Sequence, residues 1–224
     1  MKAAILSINI SLPRTVTLGD GRTIRTGLFK EPAPGQVYLG KLGFQGDGIA
    51  DPVHHGGPDK AVCAYSADYY AYWEKVTGRP TGFGAFGENL SLGGIAESGV
   101  CIGDIFQAGG ARLQVSQPRQ PCHKLNKVFA FQEMACRVQK TGFSGWYFRV
   151  LEEGWVARGD TLMRIGEGSM TIEEANDLMH KNKKDVDKLR AILAEPALSA
   201  SWRATFEQRL AQLSQAGAPS GGRP

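Results

Sequence analysis

Glycine is distributed unevenly along this chain, and its distribution constrains the fold more than any other feature of the sequence. Of the 29 glycines, 26 lie within residues 1–170 and none lies within residues 171–216. Glycine favours turns and weakens the interior of a helix, so the first part of the chain is not expected to form a helical bundle. The glycine pattern places a domain boundary near Gly168. We predict a turn-rich domain over residues 1–168, a helical domain over 169–216 and a disordered polar tail over 217–224.

Seven segments of the first domain combine β-branched, aromatic or aliphatic residues with glycine or polar residues at their ends, which is typical of strands. Two further segments, 66–76 and 129–140, predict helices, and the second stops at Thr141-Gly142. Strands and helices do not alternate regularly, so we predict an antiparallel or mixed barrel rather than a doubly wound sheet, in a fold of the mainly β, α+β class. The predicted strands are residues 2–10, 36–44, 60–66, 99–108, 111–117, 145–151 and 160–166.

The second domain has the pattern of three short amphipathic helices. Thr171 and Glu174 have the spacing of a capping box, and Pro196 separates the second helix from the third. Such short helices are unstable alone, so we expect them to pack on one another or on the barrel. After residue 170 the chain carries 8 basic and 7 acidic residues, a balance that argues against a DNA-reading helix-turn-helix. A structural or dimerising appendage, in a homodimer, is the favoured interpretation.

The charge and hydropathy of the chain limit its partners. The net charge of +4, from 26 basic and 22 acidic residues, is spread along the sequence, so we expect no nucleic-acid partner. No apolar run approaches the ~18 residues that a membrane-spanning helix needs. The first residues alternate like a strand and do not resemble a signal peptide. We therefore expect a cytoplasmic protein without a membrane partner, whose four cysteines are reduced.

The segment VSQPRQPCHK, residues 115–124, has the strongest chemical signal. Its two prolines keep the residues before them extended, which places Cys122 on a stiff loop after a strand. Arg119, His123 and Lys124 are close in sequence, and cationic neighbours favour the thiolate that a nucleophile or a soft-metal ligand requires. An inert thiol is the alternative. The other three cysteines lie in apolar or strand-like stretches and are predicted to be packing residues: Cys63, Cys101 and Cys136.

A second cluster of functional residue types occupies residues 46–61. Gly56 and Gly57 allow a close backbone approach, and Lys60 adds a positive charge, so an anion-binding or phosphate-binding loop is one interpretation. An ordinary tight turn with a solvated lysine is the other. A metal site is a weaker hypothesis, because the spacing of its candidates matches no common metal motif. Those candidates are Asp47, Asp51, His54 and His55. The sequence contains no Walker A, dinucleotide GxGxxG or GxSxG motif.

Five motifs in order resemble the MOSC domain family, the molybdenum cofactor sulfurase C-terminal domain, and particularly its YiiM-like branch. The resemblance extends over nearly the whole chain, because the last three helices resemble the small domain appended in that branch. It implies a MOSC-type β-barrel domain followed by a three-helix domain. The motifs are HGGPDKAV from His55, FGENL from Phe86, GD at Gly103, VSQPRQPC from Val115 and TGFSGW from Thr141.

The resemblance also implies a molybdenum cofactor, a pterin dithiolene with a terminal phosphate. Cys122 falls on the cysteine that binds molybdenum in the family, and Arg119 falls on a basic position suited to the anionic cofactor. Glu88 matches the FGENL motif without a predicted role, and His123 receives none because the residue after the cysteine varies. The remaining matched residues, which the resemblance places around the cofactor, are Gly56, Gly57, Lys60, Asn89, Thr26 and Lys30.

The activity implied by the resemblance is the reduction of N-hydroxylated compounds, such as 6-hydroxylaminopurine-type bases, to amines in detoxification. Cys122 would act as the metal ligand, and His55 and Asp59 are candidates for acid–base work by residue type. The sequence has no flavin, haem or iron–sulfur motif, so a separate flavoprotein is expected to donate electrons. Two alternatives remain open. Cys122 could carry the cofactor or a persulfide for delivery without turnover, or the chain could be a binding module with a vestigial barrel.

Overall fold

The computed structural model describes residues 1–17 and 21–216, so the predicted tail over 217–224 lies outside the described residues. Within those residues the chain forms fifteen strands and seven α-helices, with short 3₁₀ helices at Pro58–Lys60, Ala67–Tyr69 and Glu97–Gly99. The strands are β1 (Lys2–Ile10), β2 (Arg14–Thr17), β3 (Thr23–Thr26), β4 (Glu31–Pro32), β5 (Gln36–Gly40), β6 (Gly43–Phe44), β7 (Val62–Ser66), β8 (Leu90–Gly93), β9 (Cys101–Ile102), β10 (Ile105–Ala108), β11 (Ala111–Pro118), β12 (Trp146–Glu152), β13 (Gly154–Ala157), β14 (Thr161–Gly166) and β15 (Met170–Thr171). The helices are α1 (Pro52–His55), α2 (Tyr70–Thr77), α3 (Lys124–Val128), α4 (Met134–Thr141), α5 (Ile172–His180), α6 (Val186–Ala194) and α7 (Ala200–Ala216).

Seven strands close into a barrel in the order β14, β10, β11, β12, β7, β8 and β1. The barrel closes where β1 pairs with β14, with Lys2 opposite Met163. Its pairs are antiparallel except for β7 and β8, which run parallel. This mixed barrel, with helices added, confirms the predicted α+β class.

The boundaries of several predicted elements are corrected by the structure. The segments 36–44 and 99–108 each contain two strands rather than one, because a turn interrupts each of them. The helix predicted over 129–140 begins only at Met134, since Ala130 adopts a positive φ of 47° and ends the preceding turn. Strand β8 was not predicted, because its LSLG sequence contains no β-branched or aromatic residue.

The prediction that Cys136 is a packing residue is wrong, because this thiol is exposed. Helix α4 buries Met134 and Val138, which are four residues apart and share one face. Cys136 lies midway between them in sequence and therefore on the other side of the helix. Cys63 is buried, as predicted.

The C-terminal helices share their hydrophobic core with the barrel. Buried residues of all three helices, including Leu178, Ile192 and Phe206, belong to the same contiguous cluster as the barrel interior. The predicted capping box is confirmed, since the Thr171 hydroxyl accepts from the Glu174 N–H at 3.1 Å and the Glu174 carboxylate accepts from the Thr171 N–H at 3.2 Å. Helix formation here follows from local signals, whereas helix stability follows from packing on the barrel.

A second cluster, named here the aromatic cluster, lies outside the barrel among β7, α2, α3 and α4. Its rings stack closely: the centroids of Tyr65 and Phe86 are 4.0 Å apart. The Trp73 indole N–H donates to the Tyr65 hydroxyl at 2.6 Å. The cluster consists of Tyr65, Tyr70, Trp73, Phe86, Leu125, Phe129, Met134 and Val138. No helix in the described part of the chain has the length and apolarity needed to cross a membrane.

Candidate functional site

A cavity of about 350 Å³ lies against the outer wall of the barrel. Its floor includes Cys63 and Tyr147, which are directly opposite each other on β7 and β12. Their sequence neighbours on the same strands face the barrel core, so alternation along each strand turns these two side chains outward. The other walls come from residues 26–30, 42–52, 87–89 and 119–124, most of which are loop residues, and from His55, Lys60 and Ala61.

Cys122 lines this cavity from the loop between β11 and α3. The thiol is partly exposed, and its Sγ accepts from the backbone N–H of Lys124 at 3.5 Å. The Nδ1 of His123 lies 3.9 Å from the same sulfur. The sulfur is therefore accessible from the cavity and is held among potential donors, as a metal-binding thiolate requires.

Arg119 lines the cavity beside Cys122 and is only 4% exposed. Its Nη2 donates to the Phe86 carbonyl at 2.6 Å, and its backbone N–H donates to the Gly145 carbonyl at 3.0 Å. Its Nη1, however, is buried and makes no hydrogen bond of normal geometry with the described residues, although the Tyr147 hydroxyl is near enough to interact with the guanidinium. A buried donor without a partner costs about 1–3 kcal/mol, more when it is charged. An anion in the cavity would supply the missing acceptor.

Further cationic groups surround Arg119. Lys60 and Lys124 line the same cavity, and so does His55. Burial lowers the pKa of His55, and the positive charge of Arg119 lowers it further. Burial also lowers the pKa of Lys60, although Asp59 and Asp51 act in the opposite direction. The cavity is therefore electropositive, with a histidine that favours its neutral form.

A buried polar network forms a further part of the cavity wall. Lys30 forms an ion pair with Asp47, and both side chains are almost fully buried. The Asn89 amide donates to the second oxygen of Asp47 at 2.8 Å and accepts from the Cys63 N–H at 3.0 Å. Thr26 also lines the cavity, and its hydroxyl accepts from the Leu28 N–H at 3.2 Å. Because Asp47 compensates its charge, Lys30 adds little to the positive potential of the cavity.

Gly56, Gly57 and Asp59 do not line the cavity. Gly56 has a local reason to lack a side chain, because a Cβ there would lie 2.6 Å from the Pro52 carbonyl oxygen. Gly57 has a φ of 94°, which other residues rarely adopt. The Asp59 carboxylate pairs instead with Arg149, whose Nη2 lies 2.8 Å away. Of the HGGPDKA motif, His55, Lys60 and Ala61 therefore reach the cavity.

The residues that the structure adds to the site include Cys63 and Tyr147, which the sequence did not predict for it. Strand alternation around the matched motifs was the signal that could have found them, since Tyr147 directly follows TGFSGW. In the part of the chain that the structure describes, no group of three or more His, Cys, Asp or Glu side chains is placed to hold a metal ion. The side chain of His54, one of the four metal candidates, lies outside the described part.

Comparison with known proteins identifies the family. The model of the MOSC domain matches residues 51–163, and the model of the YiiM-like, 3-alpha helix domain matches residues 170–213. The chain belongs to the MOSC domain family. Protein YflK of Bacillus subtilis, which is uncharacterized, is 48% identical over 208 residues, covering 92% of this chain and 94% of YflK. The motif resemblance to MOSC proteins is thereby confirmed.

Solved structures of the YiiM-like branch of the MOSC family share the whole architecture. YiiM from Geobacillus stearothermophilus is 40% identical, with a TM-score of 0.80, over 93% of this chain and 99% of that chain. YiiM from Escherichia coli gives a TM-score of 0.76 at 31% identity, over 95% of this chain and 94% of that chain. A fungal protein from Gibberella moniliformis, named reductase, is 37% identical over 63% of this chain but only 26% of its own length.

Proposed function

We propose that the cavity binds the molybdenum cofactor and that the protein is an oxidoreductase that reduces N-hydroxylated compounds to amines. Three observations support the proposal: membership of the MOSC family, a reductase-named relative and the chemistry of the cavity. The single observation that carries it is that one cavity is lined both by an accessible Cys122 sulfur and by Arg119, whose buried Nη1 makes no hydrogen bond of normal geometry.

The donor set fits a cofactor that combines a soft metal with a phosphate. A thiolate is a preferred ligand of sulfur-bound metals, and a guanidinium with an ammonium is suited to phosphate. Cys122 would hold the metal, while Arg119 and Lys60 would bind the phosphate. Asn89, Thr26 and Lys30 would complete the wall through the network around Asp47.

The proposed reaction converts R–NHOH, two electrons and two protons into R–NH₂ and water. When bound, the cofactor would supply the redox-active centre at which the N–O bond breaks. His55 and Lys60 line the cavity and have lowered pKa values, so both release protons more readily than in water. We assign no proton transfer to Asp59, because its carboxylate is bound to Arg149 outside the cavity. A separate flavoprotein is the proposed electron donor.

The test begins with metal and pterin analysis of protein isolated from cells that make the cofactor. We expect about one molybdenum and one pterin per chain, and loss of molybdenum in Cys122→Ser. Cys136→Ser is the matched control, because Cys136 is an exposed thiol that does not line the cavity. Molybdenum content that is equal in Cys122→Ser and wild-type protein would remove Cys122 from the site.

Turnover is tested separately. The loaded protein, given a chemical reductant, should convert 6-hydroxylaminopurine to adenine, and Arg119→Gln should retain less cofactor. No conversion at full molybdenum occupancy would reject the reductase proposal. Transfer of cofactor to an acceptor protein, or a persulfide on Cys122 detected by mass spectrometry, would then identify the protein as a carrier.

A further inference from the structure

The two principal cations of the cavity, Lys60 and Arg119, each follow residues that contact the C-terminal helices. Lys60 comes directly after Asp59, and Arg119 comes directly after the end of β11. Both segments belong to the barrel domain, yet several of their polar partners lie at the start of α7 and on α5. These contacts connect the helical appendage to a cavity that none of its described residues lines.

The first set of contacts converges on Asp59. One carboxylate oxygen of Asp59 accepts from Nε and Nη2 of Arg149, at 3.1 and 2.8 Å. The other oxygen accepts from the backbone N–H of Ala200, the first residue of α7, at 3.0 Å. The backbone carbonyl of Asp59 accepts from the Ser116 hydroxyl. Asp59, the residue before Lys60, is thus bound to the barrel and to α7 at the same time.

The second set of contacts reaches Arg119 from two directions. At the start of α7, the Ser199 N–H donates to the Ser116 carbonyl at 3.0 Å, three residues before Arg119. From α5, the Asn176 amide donates to the Ser144 hydroxyl at 2.9 Å. That hydroxyl donates to the Gly145 carbonyl at 2.8 Å, the same carbonyl that accepts from the Arg119 backbone N–H. Asn176 is 6% exposed and Ser144 is 2% exposed, so water competes little with these bonds.

We propose that the three-helix domain positions the anion-binding wall of the cavity, with Asp59 as the positioning residue for Lys60 and with Asn176 and Ser144 supporting Arg119. The proposal rests on the proposed function in one respect, because it takes these two cations to bind an anion. Asp59 itself then touches neither ligand nor reacting atoms. Through its carboxylate, Asp59 couples the position of Lys60, the next residue, to the position of α7.

The sharpest test removes the Ala200 N–H, which joins α7 to Asp59. Ala200 is exposed and is the first residue of the helix, where proline is well tolerated. Ala200→Pro deletes the donor and places a ring carbon against the Asp59 carboxylate, which must move. Ala200→Ser is the matched control, because it changes the side chain and keeps the N–H. A single cooperative thermal transition in both variants would show that the fold is retained.

Two measurements on the full chain, produced without cofactor, report whether Lys60 and Arg119 have been displaced. The first is the affinity for inorganic phosphate by calorimetry, which should weaken about threefold to tenfold in Ala200→Pro, as expected if the displaced Lys60 loses one hydrogen bond to the phosphate. The second is the NMR titration of His55, whose pKa is lowered by burial, by Arg119 and by Lys60. Displacement of either cation should move this pKa upward in Ala200→Pro and leave it unchanged in Ala200→Ser.

Each outcome decides the proposal. If Ala200→Pro equals Ala200→Ser in both phosphate affinity and His55 titration, the positioning role of α7 is overturned. If wild-type protein has no affinity for phosphate, the proposed function loses its anion site, and the His55 titration alone decides the inference. Should Ala200→Pro fail to fold, Asn176→Ala tests the α5 contact with the same two measurements, and unchanged values there would reject the proposal.

Discussion

Replacing Glu88 with alanine would remove the acceptor on which a buried loop beside the cavity depends. The Glu88 side chain is fully buried, and its carboxylate accepts from four donors. Two are backbone N–H groups, those of Gly84 at 3.0 Å and Phe86 at 2.9 Å. The others are the hydroxyls of Ser91, at 2.8 Å, and of Tyr70. The same loop presents the Phe86 carbonyl that accepts from Arg119.

The expected loss of stability can be worked out donor by donor. The Tyr70 hydroxyl lies 3.0 Å from the Ser91 hydroxyl and can turn to it, so these two groups lose little. The two backbone N–H groups have no such alternative, and each unpaired buried donor costs about 1–3 kcal/mol. Glu88→Ala should therefore lower the free energy of unfolding by about 4 kcal/mol, a large part of the ~5–15 kcal/mol typical of a domain.

Glu88→Gln is the matched control. One carboxylate oxygen of Glu88 accepts from three donors, whereas the other accepts only from Phe86. In Glu88→Gln the amide oxygen can take the place of the carboxylate oxygen that accepts from three donors. The amide NH₂ group then faces only the Phe86 N–H, which loses its acceptor. We expect a loss of about 1–2 kcal/mol, for one unsatisfied donor. Urea denaturation followed by circular dichroism measures both variants. A loss below about 2 kcal/mol in Glu88→Ala would refute the donor accounting.

Three further predictions concern single residues. Burial, and next the charge of Arg119, lower the pKa of His55 in the folded protein. As the pH falls below the ordinary value of 6.5, the His55 imidazole of the unfolded chain therefore binds a proton before that of the folded chain does, which favours unfolding. Wild-type protein should lose stability below that pH, and His55→Gln should show a shallower loss; parallel curves of melting temperature against pH would contradict this. Gly56→Ala should cost about 1–3 kcal/mol, since its Cβ would meet the Pro52 carbonyl at 2.6 Å, and an unchanged melting temperature would contradict it. Thr171→Ala should cost about 1 kcal/mol by loss of the cap on α5, measured by urea denaturation, with Thr171→Ser as a control of unchanged stability.

Local signals in the sequence were sufficient for elements that depend on neighbouring residues. The capping box at Thr171 and the apolar spacing after it predicted α5, because a helix start is specified within one turn. The start of α4 was misjudged for the opposite reason. Ala130 takes a positive φ in a turn beside the aromatic cluster, and propensity alone gives no sign of such a conformation.

The same distinction between local and distant contacts separates the site residues that the sequence predicted from those that it did not. Cys122 and Arg119 were predicted because a short motif contains both, and the structure places both at one cavity. Tyr147 and Cys63 enter the cavity through the pairing of two strands that are far apart in sequence, so a motif search could not connect them. The Asp59 carboxylate depends on residues 90 and 141 positions away, and acid–base work was inferred from residue type alone.

The pairing of β1 with β14 bears on how a ligand enters the protein during its biosynthesis. The first strand of the chain closes the barrel only by meeting residues Thr161–Met163, near the end of the barrel sequence. The chain must therefore emerge from the ribosome to beyond residue 163 before the closed barrel wall can form. The contacts of Asp59 with Ala200 form later still, after the start of α7 has emerged. We expect ligand loading to follow the emergence of residue 200 from the ribosome, since a shorter nascent chain offers the cysteine without the completed cavity wall around it.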